Sequence, residues 1–325
     1  MSKKLKLKSK ILKSQIGQRL DKALSKLFVD HSRSQIKEWI LCNRVLVNGK
    51  VINAPKKKVF GNEQIYIDAL IKEDVYLEAQ NIPLNIIYED EEILVINKPR
   101  NLVVHPGAGN PDGTLLNALL YHYPKIINVP RAGIVHRLDK DTTGLMVIAK
   151  TIRSHIYLIK AFRLRAITRE YEAVINGHII GCGIIDEPIA RHPTKRTHMA
   201  VSKIGKPCIT YYKIVNYFRH HTRLRLQLNS GRTHQIRVHM AYINHHLVGD
   251  QVYGGLLREL KDTSEEVRQI IKKFNRQALH SAMLRMHHPC TGIEMEWNAD
   301  IPVDMIMLIN ILKIDAEINE NNMDY

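Results

Sequence analysis

The order of apolar and polar positions divides the chain into a short first stretch and a long second one. From Gly17 the apolar residues recur at helical spacing: Leu20, Ala23, Leu24, Leu27 and Phe28 share one face. Ile36, Trp39 and Ile40 repeat the pattern in a second helix, which carries Arg33 and Lys37 outward. RVLVNGKVIN then sets Asn48-Gly49 between two β-rich runs, which predicts a tight hairpin, and QIYIDAL closes the stretch as a strand. Residues 72–86 show no clear period and read as a linker.

Beyond it the pattern changes to many strands and few helices. IIYEDEEILVINKP predicts strand, turn and strand, and GTLLNALLYHY a helix grouping Leu115, Leu119 and Leu120. GIVHRLD, GLMVIAK, REYEAVINGHI and TRLRLQLNS read as strands. In the last, Leu224, Leu226 and Leu228 alternate with Arg223, Arg225 and Gln227, so one face is buried and the other basic. No internal repeat is present. The reading is an α+β protein: a basic arm at 1–15, flexible; a small domain at 16–75; a linker at 76–86; a large mixed-sheet domain at 87–315; and a frayed acidic tail at 316–325.

Charge narrows the partner. The formal net charge of the 325 residues is +16. Residues 1–60 hold 16 Lys and Arg against Asp21, Asp30 and Glu38, a net of +13, which leaves +3 for the remaining 265. Charge gathered at one end suits a dedicated module for a polyanion, nucleic acid first. Four scattered cysteines without a CxxC pair fit a reduced, cytoplasmic protein, and no apolar run is long enough to cross a bilayer. The basic start has no apolar run of the kind that follows in a signal peptide.

Metal and nucleotide chemistry find no foothold: HExxH, GxxxxGK[ST] and GxGxxG are missing, and the cluster MHHPC cannot close a tetrahedral site alone. Carboxylate chemistry remains, in HRLDKDTTGL at 136–145. If this stretch is extended, Asp139 and Asp141 point to the same side about 7 Å apart. If Asp141 opens a turn, its oxygen caps backbone near Thr143 and Asp139 stays at the strand end. The DTTG run favours the turn, and with it Asp139, without closing the first option.

HRLDKDTTG is similar to the HRLDxxTxG signature of the RluA-type pseudouridine synthases. INKPRNLVVHPG, TREYEAVINGH, SGRTHQIRVHMA and LVGDQVYGG resemble that family's other blocks in the family's order. RLDKALSKL, SRSQIKEWI and RVLVNGKVI resemble an S4 RNA-binding domain, an arrangement familiar ahead of such a catalytic domain. The resemblance implies isomerisation of uridine to pseudouridine in 23S ribosomal RNA of the large subunit precursor, in the helix 69 hairpin loop. It implies no cofactor, no metal, no membrane and a monomer.

It implies Asp139 as the catalytic carboxylate, Tyr171 lining the pocket, and Arg237 pairing with Asp139, with Arg232 as runner-up. Arg137 is implied to enter the stack where the uridine is flipped out. His136 packs or contacts phosphate. Arg19, Arg33, Lys37, Arg44 and Lys50 are the expected RNA-binding cations of the small domain, and Lys98, Arg191, Lys195, Arg196 and Arg223 those of the large one. Two other readings stay open: a non-catalytic S4-type RNA or ribosome binder, and a base glycosidase using Asp139 and Asp141 as its carboxylate pair.

Overall fold

In the computed structural model the alternation KLKLKSK at the start of the chain is a strand, not a flexible arm: β1 (Ser2–Lys10) pairs antiparallel along its whole length with β4 (Gln64–Lys72). Leu5 and Leu7 turn toward the core while Lys6, Lys8 and Lys10 point to solvent. Lysine density hides the period of two. The structure describes residues 2–29, 31, 33–72, 78–107, 109–195, 197–254 and 263–323. They belong to two units, Met1–Leu77 and Glu78–Tyr325.

The first unit packs α1 (Leu20–Leu27) and α2 (Arg33–Leu41) on one face of a sheet ordered β1-β4-β2-β3, where β2 is Val45–Val47 and β3 Lys50–Val51. Leu24, Ile36, Ile40, Val45 and Ile67 are fully buried between them. The β2–β3 turn carries Asn48 at φ 50° and Gly49 at φ 78°, the pair of positive angles that an Asn-Gly hairpin supplies at least steric cost.

The second unit is built on a nine-stranded mixed sheet. Its strands are β5 (Ile86–Glu89), β6 (Ile93–Lys98), β7 (Thr143–Ala149), β8 (Thr168–Asn176), β9 (Gly183–Asp186), β12 (Ile209–Tyr217), β13 (His221–Leu228), β14 (Leu279–His287) and β15 (Glu294–Asn298). The order is β5-β6-β7-β14-β8-β13-β12-β9, with β15 beside β14. β7 and β14 run parallel and every other pair antiparallel. A separate two-stranded sheet joins β10 (Ile189–Arg191) to β11 (Met199–Val201).

All seven residues of β7 are buried, because both its faces are covered. Met146 and Ile148 pack toward α3 (Leu115–His122) and α5 (Gln235–Tyr242), whereas Leu145 and Val147 pack toward α4 (Ile152–Arg163). β13 keeps the alternation read from its sequence, with Leu224, Leu226 and Leu228 inward. Its outward Arg223 and Arg225 are clamped across the ladder by Glu172 (2.9 Å) and Glu170 (2.6 Å) of β8. Two further helices, α6 (Glu265–Lys273) and α7 (Val303–Met323), complete the unit.

Three sequence expectations change here. GIVHRLD is not a strand: Arg131, Ala132 and Gly133 all take positive φ, and the chain beyond makes only an isolated bridge between Ile134 and Ile148. The acidic end is not frayed at 316, because α7 continues through Met323, and the buried Asp315 carboxylate accepts the Ser264 N–H (3.1 Å). Of the expected linker, 73–77 lie outside the described residues. The part from Glu78 onward is bound to the second unit, with Asn117 Nδ2 donating to the Glu78 carbonyl (2.8 Å) and Ile82 and Leu84 packed on its core.

Candidate active site

The HRLDKDTTG loop enters β7 and is held there from several directions. Thr142 N–H closes a turn on the Asp139 carbonyl (3.1 Å), and the Thr142 hydroxyl accepts from Gln277 Nε2 (2.8 Å). Thr143 Oγ1 meets His280 Nδ1 at 2.8 Å. Gly144 sits at φ 113°, and a Cβ there would stand 2.2 Å from the Ser281 carbonyl oxygen of β14. Only glycine lets β7 and β14 approach.

Two buried cations grip the loop's backbone. Lys98 Nζ donates to the carbonyls of Pro99 (2.7 Å), Leu102 (3.0 Å) and Lys140 (2.9 Å). Burial pulls its pKa down to about 7 despite the nearby carboxylates of Asp141 and Asp139. Arg276, wholly buried, donates to the Asp141 carbonyl (3.3 Å) and forks onto Asp304. Lys98 therefore braces the loop from inside rather than meeting RNA. The Asp141 carboxylate caps no backbone N–H among the described residues; the turn is closed by Asp139 and Thr142 instead.

Asp139 faces a cleft lined by Arg137, Tyr171, Leu228, Arg232, His234 and Arg237. Arg237, on α5, donates through Nη1 to Asp139 Oδ2 (2.9 Å). Its Nε and Nη2 fork onto Asp250 (2.7 and 2.8 Å), whose Oδ1 also accepts the N–H groups of Val252 and Tyr253. Burial works against the guanidinium's charge, but Asp250 and Asp139 outweigh it and raise the Arg237 pKa. Burial likewise acts to raise Asp250, and Arg237 more than reverses it. Arg232 is exposed and, among the described residues, its side chain donates only to the Pro207 carbonyl (3.5 Å), so the arginine pairing with Asp139 is Arg237.

Tyr171 lies on β8 with its side chain buried against Leu226 and Leu279 in the main core. Burial pushes its phenol pKa up, with the Asp139 charge adding and Arg169 opposing. His136 does not reach outward: its ring packs on Phe162 (centroids 4.8 Å) and Nε2 accepts the Val147 N–H (3.0 Å). Burial, aided by the charge of Arg169, lowers its pKa to about 3. It is a neutral brace of β7. Arg137 is exposed at the cleft mouth.

Several functional candidates were not singled out from the sequence. Asp250 and Tyr253 stand in LVGDQVYGG, and His234 in SGRTHQIR, yet their contacts join segments that no local spacing connects. His234 takes φ 56°, Nδ1 meets the Tyr253 hydroxyl at 2.8 Å, and Nε2 lies 3.8 Å from Asp139 Oδ1. The same hydroxyl accepts the Met199 N–H (2.8 Å), and the Tyr253 ring stacks on Arg237 (5.0 Å). Burial lowers the His234 pKa, with Asp139 opposing and Arg237 reinforcing.

In the first unit, Arg19 and Arg33 converge on the buried Asp21 carboxylate (2.9 Å each), so both brace the fold while half-exposed. Lys37, Arg44 and Lys50 are exposed. In the second, Lys195 and Arg191 are exposed, Arg223 is clamped as above, and Arg196 lies outside the described residues.

The mixed sheet and its carboxylate–arginine cleft, in a chain that also carries a small basic helix-and-hairpin unit, define an RNA-modifying protein of two domains. An RNA pseudouridylate synthase family model matches residues 92–242, and an S4 domain model matches residues 18–65. The chain belongs to the RNA pseudouridylate synthase family. It is 60% identical to the ribosomal large subunit pseudouridine synthase D of Escherichia coli (strain K12) and 61% identical to that of Yersinia pestis, over all of both chains in each case.

Among solved structures, Human RNA Pseudouridylate Synthase Domain Containing 1 shares 26% identity at a TM-score of 0.53, over 68% of this chain and 84% of that one. The chain is thus an enzyme, and the binder and glycosidase readings fall. Among the described residues no helix is long and apolar enough to cross a membrane.

Proposed function

We propose that Asp139 is the catalytic carboxylate and that the substrate is 23S ribosomal RNA, at the helix 69 loop. The carrying observation is the clamp on Asp139: a buried arginine, itself fixed by Asp250, presents one carboxylate oxygen pair into a cleft floored by Tyr171. The relatives, named for the large ribosomal subunit, support the RNA assignment.

The reaction breaks the N1–C1′ bond of uridine, turns the base and joins C5 to C1′; C5 loses a proton and N1 gains one, so nothing is oxidised and no cofactor is consumed. The clamped carboxylate attacks C1′, adds to C6 or assists a glycal route; each needs the same fixed, charged group beside the sugar and base. Tyr171, kept neutral by burial, offers a flat wall and a hydroxyl to the turning base. Arg137 at the mouth fills the stack that the flipped uridine leaves, offsetting an extrusion cost of a few kcal/mol. Arg232, and the Arg19, Arg33, Lys37, Arg44 and Lys50 set of the first unit, hold the phosphates, and the enzyme acts as a monomer.

Incubating the protein with a 23S rRNA transcript and mapping pseudouridine by modification-dependent reverse-transcription stops tests this. Stops in the helix 69 loop are expected with the wild type and with Asp141→Asn, and none with Asp139→Asn. Activity lost in Asp141→Asn and kept in Asp139→Asn would overturn the assignment.

A further inference from the structure

The face of the first unit's sheet that looks away from α1 and α2 is not a plain solvated surface. Register places Val51, Leu46, Tyr66 and Lys8 in one row across the four strands. Their neighbours along β1 and β4 alternate with residues that pack toward the helices: Lys6 and Lys10 flank Lys8, and Asp68 and Gln64 flank Tyr66. Ile65, Ile67 and Ala69, one residue out of step, are buried on the opposite face.

The outward row is therefore an aliphatic and aromatic strip, with Val51 half-exposed and Tyr66 partly so. A line of three exposed lysines runs along its edge, and one carboxylate, Asp68, lies on it. Lys8 Nζ lies over the Tyr66 ring at 5.7 Å. Among the described residues, Lys6, Lys8 and Lys10 make no ion pair, unlike Arg19 and Arg33 on the helical side.

We propose that this sheet face is a second RNA-binding surface, on which an unpaired base stacks against Tyr66 and the strand's phosphates follow Lys6, Lys8 and Lys10. Charge complementarity selects the occupant: three unpaired cations at every second position of an extended strand, about 7 Å apart, present a regular line to a polyanion. Aromatic rings on an open sheet face, beside cations, are the arrangement that stacks splayed bases without regard to sequence. β1 and Tyr66 lie outside residues 18–65, so the surface is an addition to the matched S4 segment. Lysines on an edge strand otherwise serve to discourage pairing with a second chain.

The inference rests on the reading of the substrate as ribosomal RNA, and salt dependence separates the two. Binding of the full-length protein to a labelled 23S rRNA transcript is measured across a KCl series, with log Kd plotted against log salt. Lys6→Gln/Lys8→Gln/Lys10→Gln is expected to bind more weakly, with a slope shallower by about 2. Tyr66→Ala is expected to lose about tenfold in affinity with its slope unchanged. Both should keep the melting temperature of the wild type.

The proposal is overturned if the triple variant keeps the wild-type slope while Lys37→Gln/Arg44→Gln flattens it, or if its sole effect is self-association at unchanged affinity. Should the wild type prefer an unrelated RNA equally, the substrate assignment fails; the lysines would still set the slope on that RNA, and the surface would stand.

Discussion

Arg237 and Asp250 form a two-point fork, 2.7 and 2.8 Å, that spends two of the guanidinium's three nitrogens on orientation and leaves Nη1 for Asp139. The fork makes Asp250 a positioning residue for a carboxylate it does not touch. Asp250→Asn is expected to leave RNA affinity intact and to lower single-turnover rate on the order of a hundredfold, as a misplaced group would. Asp250→Ala, which removes two of the buried guanidinium's three carboxylate hydrogen bonds and leaves Asp139 as its partner, is expected to cost about 3 kcal/mol of stability as well. Rapid-quench assays and thermal melts check both.

His234 holds the other side of Asp139. Met199 N–H donates to the Tyr253 oxygen, and that hydroxyl lies 2.8 Å from His234 Nδ1; if its O–H donates there, the neutral ring keeps its proton on Nε2, 3.8 Å from Asp139 Oδ1. His234→Gln and Tyr253→Phe are expected to reduce the single-turnover rate by about tenfold or more while Kd for RNA stays constant. A melting temperature that fell in step with the rate would reassign both to packing.

His136 makes the second unit acid-sensitive. Its folded pKa, about 3, lies below the ordinary 6.5, so the unfolded chain takes up the proton first. Its contribution is complete above pH 6.5 and is lost as pH falls toward 3, an amount on the order of a few kcal/mol. His136→Gln keeps an acceptor for Val147 N–H and cannot titrate. Melting temperatures between pH 4 and 7 should fall less steeply for this variant than for the wild type.

Gly144→Ala tests the seam between β7 and β14. The added methyl meets backbone at 2.2 Å, which no rotamer relieves. A loss of about 3 kcal/mol or more, or failure to fold, is expected in denaturant titration.

Much of this was legible in residue order, and the failures have identifiable causes. The Asn48-Gly49 hairpin and the alternation in β13 were readable because local chemistry fixes them. β1 was not, since lysine at every second position disguises a strand whose partner lies some 60 residues on. α7 past Asp315 was missed because its acidic composition looked solvated, whereas Asp315 is buried on Ser264. GIVHRLD has strand-like residues but follows two left-handed ones and opens on a third, Gly133. At the cleft, the HRLD motif pointed to Asp139, yet Asp250, His234 and Tyr253 gained their meaning only when β11, α5 and the loop that follows α5 were brought together.

The glutamate clamps on Arg223 and Arg225 shape the enzyme's field. By pairing two cations on the outer surface of β13, Glu172 and Glu170 reduce the free charge of that strand, while Arg137 and Arg232 stand exposed at the cleft. With those two arginines paired, β13 offers an approaching phosphate chain fewer free cations than the cleft mouth does. Selectivity for where the RNA lands begins with charges that have been cancelled elsewhere.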